Sequence, residues 1–328
     1  MIQRMVETGI VDNALIVIES PQQKFIDYKK GIKGLIIDDM SRIDRYLMPG
    51  DIIWCRGGWK NWHDPLKKLG ESGHWLMIYA ANTGREKWPL WDVILDDLSG
   101  LNFIDDENRF HLYFRKPLNP LLFYPHKETK EIYDICIGAS NIHDKKGQWR
   151  AVEVMVAYKE IFGIGLKAVM PGSIRGGENT GKMLKSIDVY GLDVTMPGEL
   201  TRSELRKVYN QSKIFIHFGS HGQGDRGPME AMKCGCFLVV GYPKYHAPWV
   251  CSNHGVCYTP IDPEDYQTIA FNLWDIQPAW SNRKYISDYH ERCASIEDIS
   301  LPAMKKLFDF FRANPKADRN ILKKEMMP

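Results

Sequence analysis

The chain has 328 residues, 44% hydrophobic and 26% charged, enough for two domains that each bury a core. Forty-three basic residues against 41 acidic ones leave a net charge of +2, which gives no bulk nucleic-acid signature. Seven cysteines without a Cys-x-x-Cys array predict free thiols rather than a disulfide frame or zinc site, and the absence of a signal peptide or an apolar run near ~20 residues predicts a cytoplasmic protein without a transmembrane segment.

Residues 14–19 (ALIVIE) read as the first strand. Further strands are predicted at 35–37, 51–55 (DIIWC), 74–81, 91–96 and 111–115, with helical patterns at 39–47 and 64–69. This alternation predicts a parallel sheet with helices on both faces, and functional loops after the strands. One such loop is Arg56, Gly57, Gly58, Trp59, Lys60, Asn61, Trp62 and His63. Its glycines let backbone approach a ligand, its cations donate, and its tryptophans offer stacking surface. The competing reading is a tight turn with both tryptophans packed on the next helix. A second basic loop runs from Asn82 to Trp88, where salt bridges on an exposed loop would explain the charges equally well. Asp96 and Asp97 end the fifth strand, where a helix cap competes with acid–base chemistry.

A proline-rich crossing at 116–130 predicts a domain boundary. Beyond it a strand (133–139) leads through Lys146-Gly147 into a helix over 148–161. A lysine before a glycine at such a turn suits a diphosphate, because ammonium and backbone amides together neutralise it. A strand at 167–170 ends at Gly172, residues 175–180 read as a loop, and 188–198 as a strand ending at Gly198. Thr201 and Glu204 form a capping box that opens a helix. The strongest local pattern is KIFIHFGSHGQGDRGPMEAMKCGCFLVVG over 213–241: buried strand, glycine loop, helix, buried strand. Its geometry is that of an anion site at a helix N-terminus. Glu230 is placed in the first turn of that helix, where a carboxylate can accept two hydrogen bonds from a ribose diol. Cys234-Gly235-Cys236 straddles the helix end and reads as structural. An amphipathic helix is predicted over 301–314.

Ser220, Pro228, Glu230, Ala231, Met232, Cys234, Gly235, Val239 and Val240 resemble the nucleotide-sugar site of retaining glycosyltransferases with the GT-B fold. Asn119-Pro120, Phe123-Tyr124-Pro125, Lys146-Gly147, His254-Gly255-Val256 and Pro260 to Glu264 resemble the family as well, so the likeness covers roughly 117–275. It implies two Rossmann-like domains facing across a cleft: an acceptor domain over 1–120, a donor domain over 121–300 and a C-terminal helix over 301–328 crossing back to the first. It implies Lys146, Arg226 and Glu230 as catalytic residues. It implies Gly138, Lys146, Gly172, Gly198, Ser220, Gly227, Pro228, Met229 and Glu230 as donor-binding residues. Arg56, Gly57, Gly58, Trp59, Lys60, Trp62 and His63 then face the acceptor. Two departures stand out. Gly222 occupies the position of the family's first Glu, leaving Asp225, His221 or nothing in that role. Ala139 occupies the position of a phosphate-pairing Arg, for which Arg175 and Arg226 are the substitutes.

The resemblance further implies transfer of a hexose or pentose from a nucleoside-diphosphate sugar, UDP-sugar first among them, without metal or other cofactor. The acceptor is left open between a saccharide (free or lipid-linked), a small molecule, and DNA with hydroxymethylated pyrimidines, as in phage-type enzymes. A catalytically inactive nucleotide-sugar binder is the alternative that Gly222 and Ala139 keep alive. A Rossmann dehydrogenase is weaker, since no Gly-x-Gly-x-x-Gly follows the first strand.

Overall fold

The computed structural model describes residues 1–19, 24–29, 31–37, 39–48, 51–55, 62–72, 76–79, 90–96, 110–113, 118–126, 129–138, 141–219, 226–242, 248–251 and 255–313. The chain divides into two compact units, Met1–Pro117 with Ile296–Pro328, and Leu118–Ser295.

In the first unit, helix α1 (Ile2–Glu7) precedes strands β1 (Ala14–Glu19), β2 (Lys24–Lys29) and β3 (Ile32–Ile37). These strands pair in the order β1-β3-β2, with β1 parallel and β2 antiparallel to β3. A 3-10 helix (Met40–Tyr46) follows. Strand β4 (Ile52–Cys55), helix α2 (His63–Ser72) and strands β5 (Leu76–Tyr79), β6 (Val93–Asp96) and β7 (Phe110–Tyr113) complete a second sheet, fully parallel and in sequence order. Sequence periodicity predicts parallel strands here but does not reveal β2. Its sequence, KFIDYK, carries three charges in six residues, a composition that suits an edge strand and hides it from a search for apolar runs.

The four-stranded sheet is covered on both faces. Leu76, Ile78, Val93 and Leu95 pack with Met5, Ile10 and the C-terminal residues Leu301, Met304, Leu307 and Phe308. Met77, Tyr79 and Ile94, one residue out of phase, pack with Leu35, Met40, Ile43, Leu66, Leu69 and Trp91. The period-2 alternation of a strand thus feeds two cores, and the strands read as continuous apolar runs.

The second unit begins with β8 (Tyr133–Ile137), β9 (Asn141–His143), a 3-10 turn (Asp144–Lys146) and α3 (Gln148–Phe162). Then come β10 (Ala168–Val169), β11 (Ser173–Gly176), α4 (Glu178–Val189), β12 (Val194–Thr195), α5 (Arg202–Asn210) and β13 (Ser212–His217). The unit closes with α6 (Arg226–Lys233), β14 (Phe237–Val240), α7 (Pro248–Cys251), β15 (Cys257–Tyr258), α8 (Tyr266–Asp275), α9 (Gln277–Trp280) and α10 (Arg283–Ala294). A π-helical turn (Ile296–Ser300) and α11 (Leu301–Ala313) belong to the first unit.

Two sequence expectations need correction. Residues 175–180 are not a loop: β11 ends at Gly176 and α4 starts at Glu178. Residues 188–198 are not one strand: α4 runs to Val189 and only Val194–Thr195 pair. Gly191, with φ +55°, reverses the chain between them, so the alternation of Val189, Leu192 and Val194 spans a helix end rather than a pleat.

The main sheet of this unit is parallel, in the order β12-β10-β8-β13-β14-β15. From β8 the chain winds outward through β10 to β12, then returns to β13 on the other side of β8 and winds outward again. Right-handed crossovers in opposite directions put their helices on opposite faces. Strands β8 and β13 therefore flank the topological switch point, where the outgoing loops part and open a crevice at the carboxyl edge.

Candidate active site

The switch point brings the Lys146-Gly147 turn against the end of β13. Gly147 has φ +70° and serves as the N-cap of α3. A Cβ there would fall far inside contact with the carbonyl of Phe218 and close to the amide of Gly219. Only glycine lets the turn adopt this left-handed geometry and approach the neighbouring backbone so closely. Lys146 is thereby anchored beside the segment that leads towards α6.

Asp144, two residues earlier, fixes the same turn to α4. Its carboxylate accepts from the backbone N–H of Thr180 (2.9 Å), the Thr180 hydroxyl (3.0 Å) and the N–H of Asn179 (3.3 Å). Burial pushes this carboxyl up, but the backbone hydrogen bonds of Thr180 and Asn179 outweigh it and hold it below its ordinary value.

Gly172 and Gly198 meet directly, the N–H of Gly172 donating to the carbonyl of Gly198 at 2.7 Å. Beside them the Ser173 hydroxyl donates to Glu199 Oε1 (2.7 Å), and Arg175 donates to Asn141 Oδ1 (3.1 Å) and Glu199 Oε1 (3.4 Å). Arg175 is well exposed and adjoins this glycine pair. Gly138 and Gly227 have a different use. A Cβ on Gly138 would overlap the Phe215 ring, and one on Gly227 would come within 3.1 Å of it. The N–H of Gly138 already donates to the Ile216 carbonyl at 3.2 Å. These two glycines make room for a core ring, which by itself accounts for a glycine at 138.

Helix α6 begins at Arg226, so Gly227, Pro228 and Met229 share its first turn with Arg226. Glu230 is the fifth residue, two positions further in than the sequence suggests and so past the first turn, because the helix starts two residues before Pro228. It is buried, at 4% exposure. Arg202, the first residue of α5, donates Nη1 to Glu230 Oε1 at 2.6 Å. Burial raises the Glu230 carboxyl above its ordinary value, while the charges of Arg202 and Arg226 oppose that rise. Sequence reading did not find Arg202. The Thr201–Glu204 capping box, present with both of its hydrogen bonds, was the available signal that residue 202 sits at a helix start.

In the first unit, Trp62 packs partly buried against the Leu66, Leu69 and Trp91 cluster, which favours the packing reading for this ring. His63 Nδ1 lies 2.8 Å from Asp64 Oδ1. Arg56, Gly57, Gly58, Trp59, Lys60, the 82–88 loop, Asp97, Ala139, Ser220, His221, Gly222 and Asp225 lie outside the described residues. Among the described residues no three His, Cys, Asp or Glu side chains gather as a metal site requires, and no helix is long and apolar enough to cross a membrane.

A parallel sheet with a topological switch point, with the Lys146-Gly147 turn at the end of β13, is the arrangement at which open α/β sheets commonly bind ligands. The fold is that of the GT-B glycosyltransferases. Sucrose-phosphate synthase from Thermosynechococcus elongatus superposes with a TM-score of 0.69 at 12% identity, covering 92% of this chain and 88% of that one. The pneumococcal O-GlcNAc transferase GtfA, in complex with UDP and GlcNAc, gives 0.61 at 13% identity, covering 81% of this chain and 58% of that one. HepE of Anabaena, in complex with UDP-glucose, gives 0.57 at 12% identity, covering 84% and 82%. No protein-family model and no curated protein sequence matches the chain. At such identities the likeness is one of fold.

Proposed function

We propose that this protein transfers a sugar from a nucleoside-diphosphate sugar to an acceptor hydroxyl. The observation that carries the reading is the Lys146-Gly147 turn held against Phe218 and Gly219 at the β8/β13 switch point. Breaking a sugar–phosphate bond leaves a diphosphate with added negative charge. Lys146, Arg226 and the Gly227 and Met229 amides at the start of α6 are the groups that would stabilise it, and preorganised charge of this kind supplies much of a transferase's rate. Glu230 receives the ribose. Arg175 stands in for the phosphate-pairing Arg that Ala139 replaces. The leaving phosphate can take the acceptor proton on the face it departs from, which retains configuration and calls for no metal or dedicated base.

UDP is the first nucleotide to test, because the complexes of GtfA and HepE hold UDP or UDP-glucose. The acceptor is a saccharide or a hydroxymethylated pyrimidine in DNA. A thermal-shift panel of nucleoside diphosphates and their sugars tests the donor, since ligand binding raises apparent stability. Labelled sugar is then offered to oligosaccharides and to duplexes with and without hydroxymethylated pyrimidines. Stabilisation with transfer supports the enzyme and identifies its acceptor. Stabilisation without nucleotide release on any acceptor supports an inactive binder, and no stabilisation by any nucleotide sinks the reading.

A further inference from the structure

Glu230 is a buried carboxylate on a helix whose neighbouring residues, Met229, Ala231 and Met232, are buried and apolar. An apolar residue would serve packing there as well, because a buried ion pair brings little net stability over well-packed apolar groups. Its single hydrogen bond comes from Arg202 Nη1, to Oε1 at 2.6 Å. Among the described residues no other group bonds the carboxylate, and Oε2 is not among the sealed, unpartnered atoms. One oxygen is held by Arg202, and Oε2 has no bonded donor among the described residues. Arg202 reaches in from the surface, with its side chain 53% exposed. Its backbone is fixed by the Thr201–Glu204 capping box, in which Thr201 N–H donates to Glu204 Oε2 at 2.7 Å.

We propose that Arg202 is a positioning residue of the nucleotide subsite, clamping Glu230 through Oε1 so that Oε2 meets the ribose diol. This rests on the donor-site reading given above. An ionised carboxylate accepts from both hydroxyls only if its plane is held, and a guanidinium fixes that plane by a charge-assisted bond. Arg202 itself need not touch the ligand. Its positive charge also opposes the rise that burial imposes on the carboxyl, favouring the ionised form that accepts.

Calorimetry with UDP, GDP and ADP, each beside its 2′,3′-dideoxy form, separates the roles. For whichever base binds the wild-type protein, Arg202→Gln is expected to weaken the diol form by about tenfold, the scale of one charge-assisted hydrogen bond. It should leave the dideoxy form unchanged, and Arg202→Lys should recover part of the loss. Equal weakening of both forms, or of neither, overturns the proposal, as does a wild-type protein that binds diol and dideoxy forms alike. If Arg202→Gln fails to fold, Arg202→Lys decides, with a smaller loss confined to the diol form. A folded wild-type protein that binds none of the three nucleotides overturns the donor reading itself, and the proposal with it.

Discussion

The carbonyl of Phe218 occupies the space where a side chain on Gly147 would begin. Gly147→Ala must therefore both accept φ +70° and push one strand end away from the α3 cap. The neighbouring atom is backbone, which cannot rotate aside. We expect a loss of about 2–4 kcal/mol in urea unfolding, the range for strain added to a steric clash. We also expect a weaker thermal response to nucleoside diphosphates, because Lys146 moves with the turn. Wild-type stability in Gly147→Ala would show that the turn can shift freely.

Arg283 ties together three chain segments behind the same site. Its guanidinium donates to the carbonyls of Ser212 (2.7 Å), Cys234 (2.8 Å) and Tyr209 (3.1 Å). These are the start of β13 and the ends of α6 and α5, all at buried residues. Arg283→Met keeps the stem but removes the guanidinium from all three carbonyls and from Glu131 (3.4 Å); Tyr209 and Ser212 keep the weaker Cys236 thiol donor, and the change should cost about 2–3 kcal/mol. Arg283→Lys should recover only part, since one ammonium cannot span the fork. Chemical denaturation of the two variants checks both the loss and the order.

The fold class was legible in the sequence because both faces of the four-stranded sheet and the central strands of the six-stranded sheet are buried. ILVI-type runs such as IFIHF and FLVV follow directly from that. The Thr201–Glu204 box was legible because its chemistry is local. Features that depend on contacts between distant residues were not. Phe215 fills the space above Gly138 and Gly227, a packing reason for both glycines that no local pattern reveals. Arg202 lies 28 residues from Glu230, and no periodicity links a helix start to the middle of the next helix. The 188–198 segment misled for the opposite reason: its alternation is real in the sequence, but Gly191 breaks the chain between helix and strand.

His290 on α10 is 2% exposed and packs edge-on to Trp249, with ring centroids 5.5 Å apart. Neither of its ring nitrogens has a hydrogen-bond partner. Burial, with the charge of Lys233 added, pushes its pKa down to about 3 from the ordinary 6.5. The unfolded chain therefore binds a proton between these values that the folded chain refuses. Stability is fully present above about pH 6.5 and is lost as pH falls towards 3, at up to ~1.4 kcal/mol per unit. His290→Phe removes the titration and should flatten the acid limb of a urea-stability profile between pH 6 and 4. An acid limb as steep as that of the wild-type protein would assign it to carboxylates instead.

Lys146 stands where charge grows during reaction, if the donor reading holds. Its partner is the diphosphate, which carries more charge in the transition state than in the bound donor. An ammonium there gains interaction energy as the sugar–phosphate bond breaks, so its removal should act on turnover more than on binding. Lys146→Ala is expected to lower kcat by about 100- to 1,000-fold, the scale for losing one preorganised donor at a developing oxyanion, while the donor KM rises only several-fold. Lys146→Arg keeps the charge but spreads it over a plane, and should restore kcat in part. Asp144 supplies the control. Asp144→Asn keeps an acceptor for the Thr180 N–H but drops the carboxylate charge that anchors the turn to α4. It should raise the donor KM and lower stability together, without the selective loss of kcat. Steady-state kinetics of the three variants, with circular dichroism for folding, measure this split. A Lys146→Ala enzyme with unchanged kcat and a raised KM would make the lysine a binding group only.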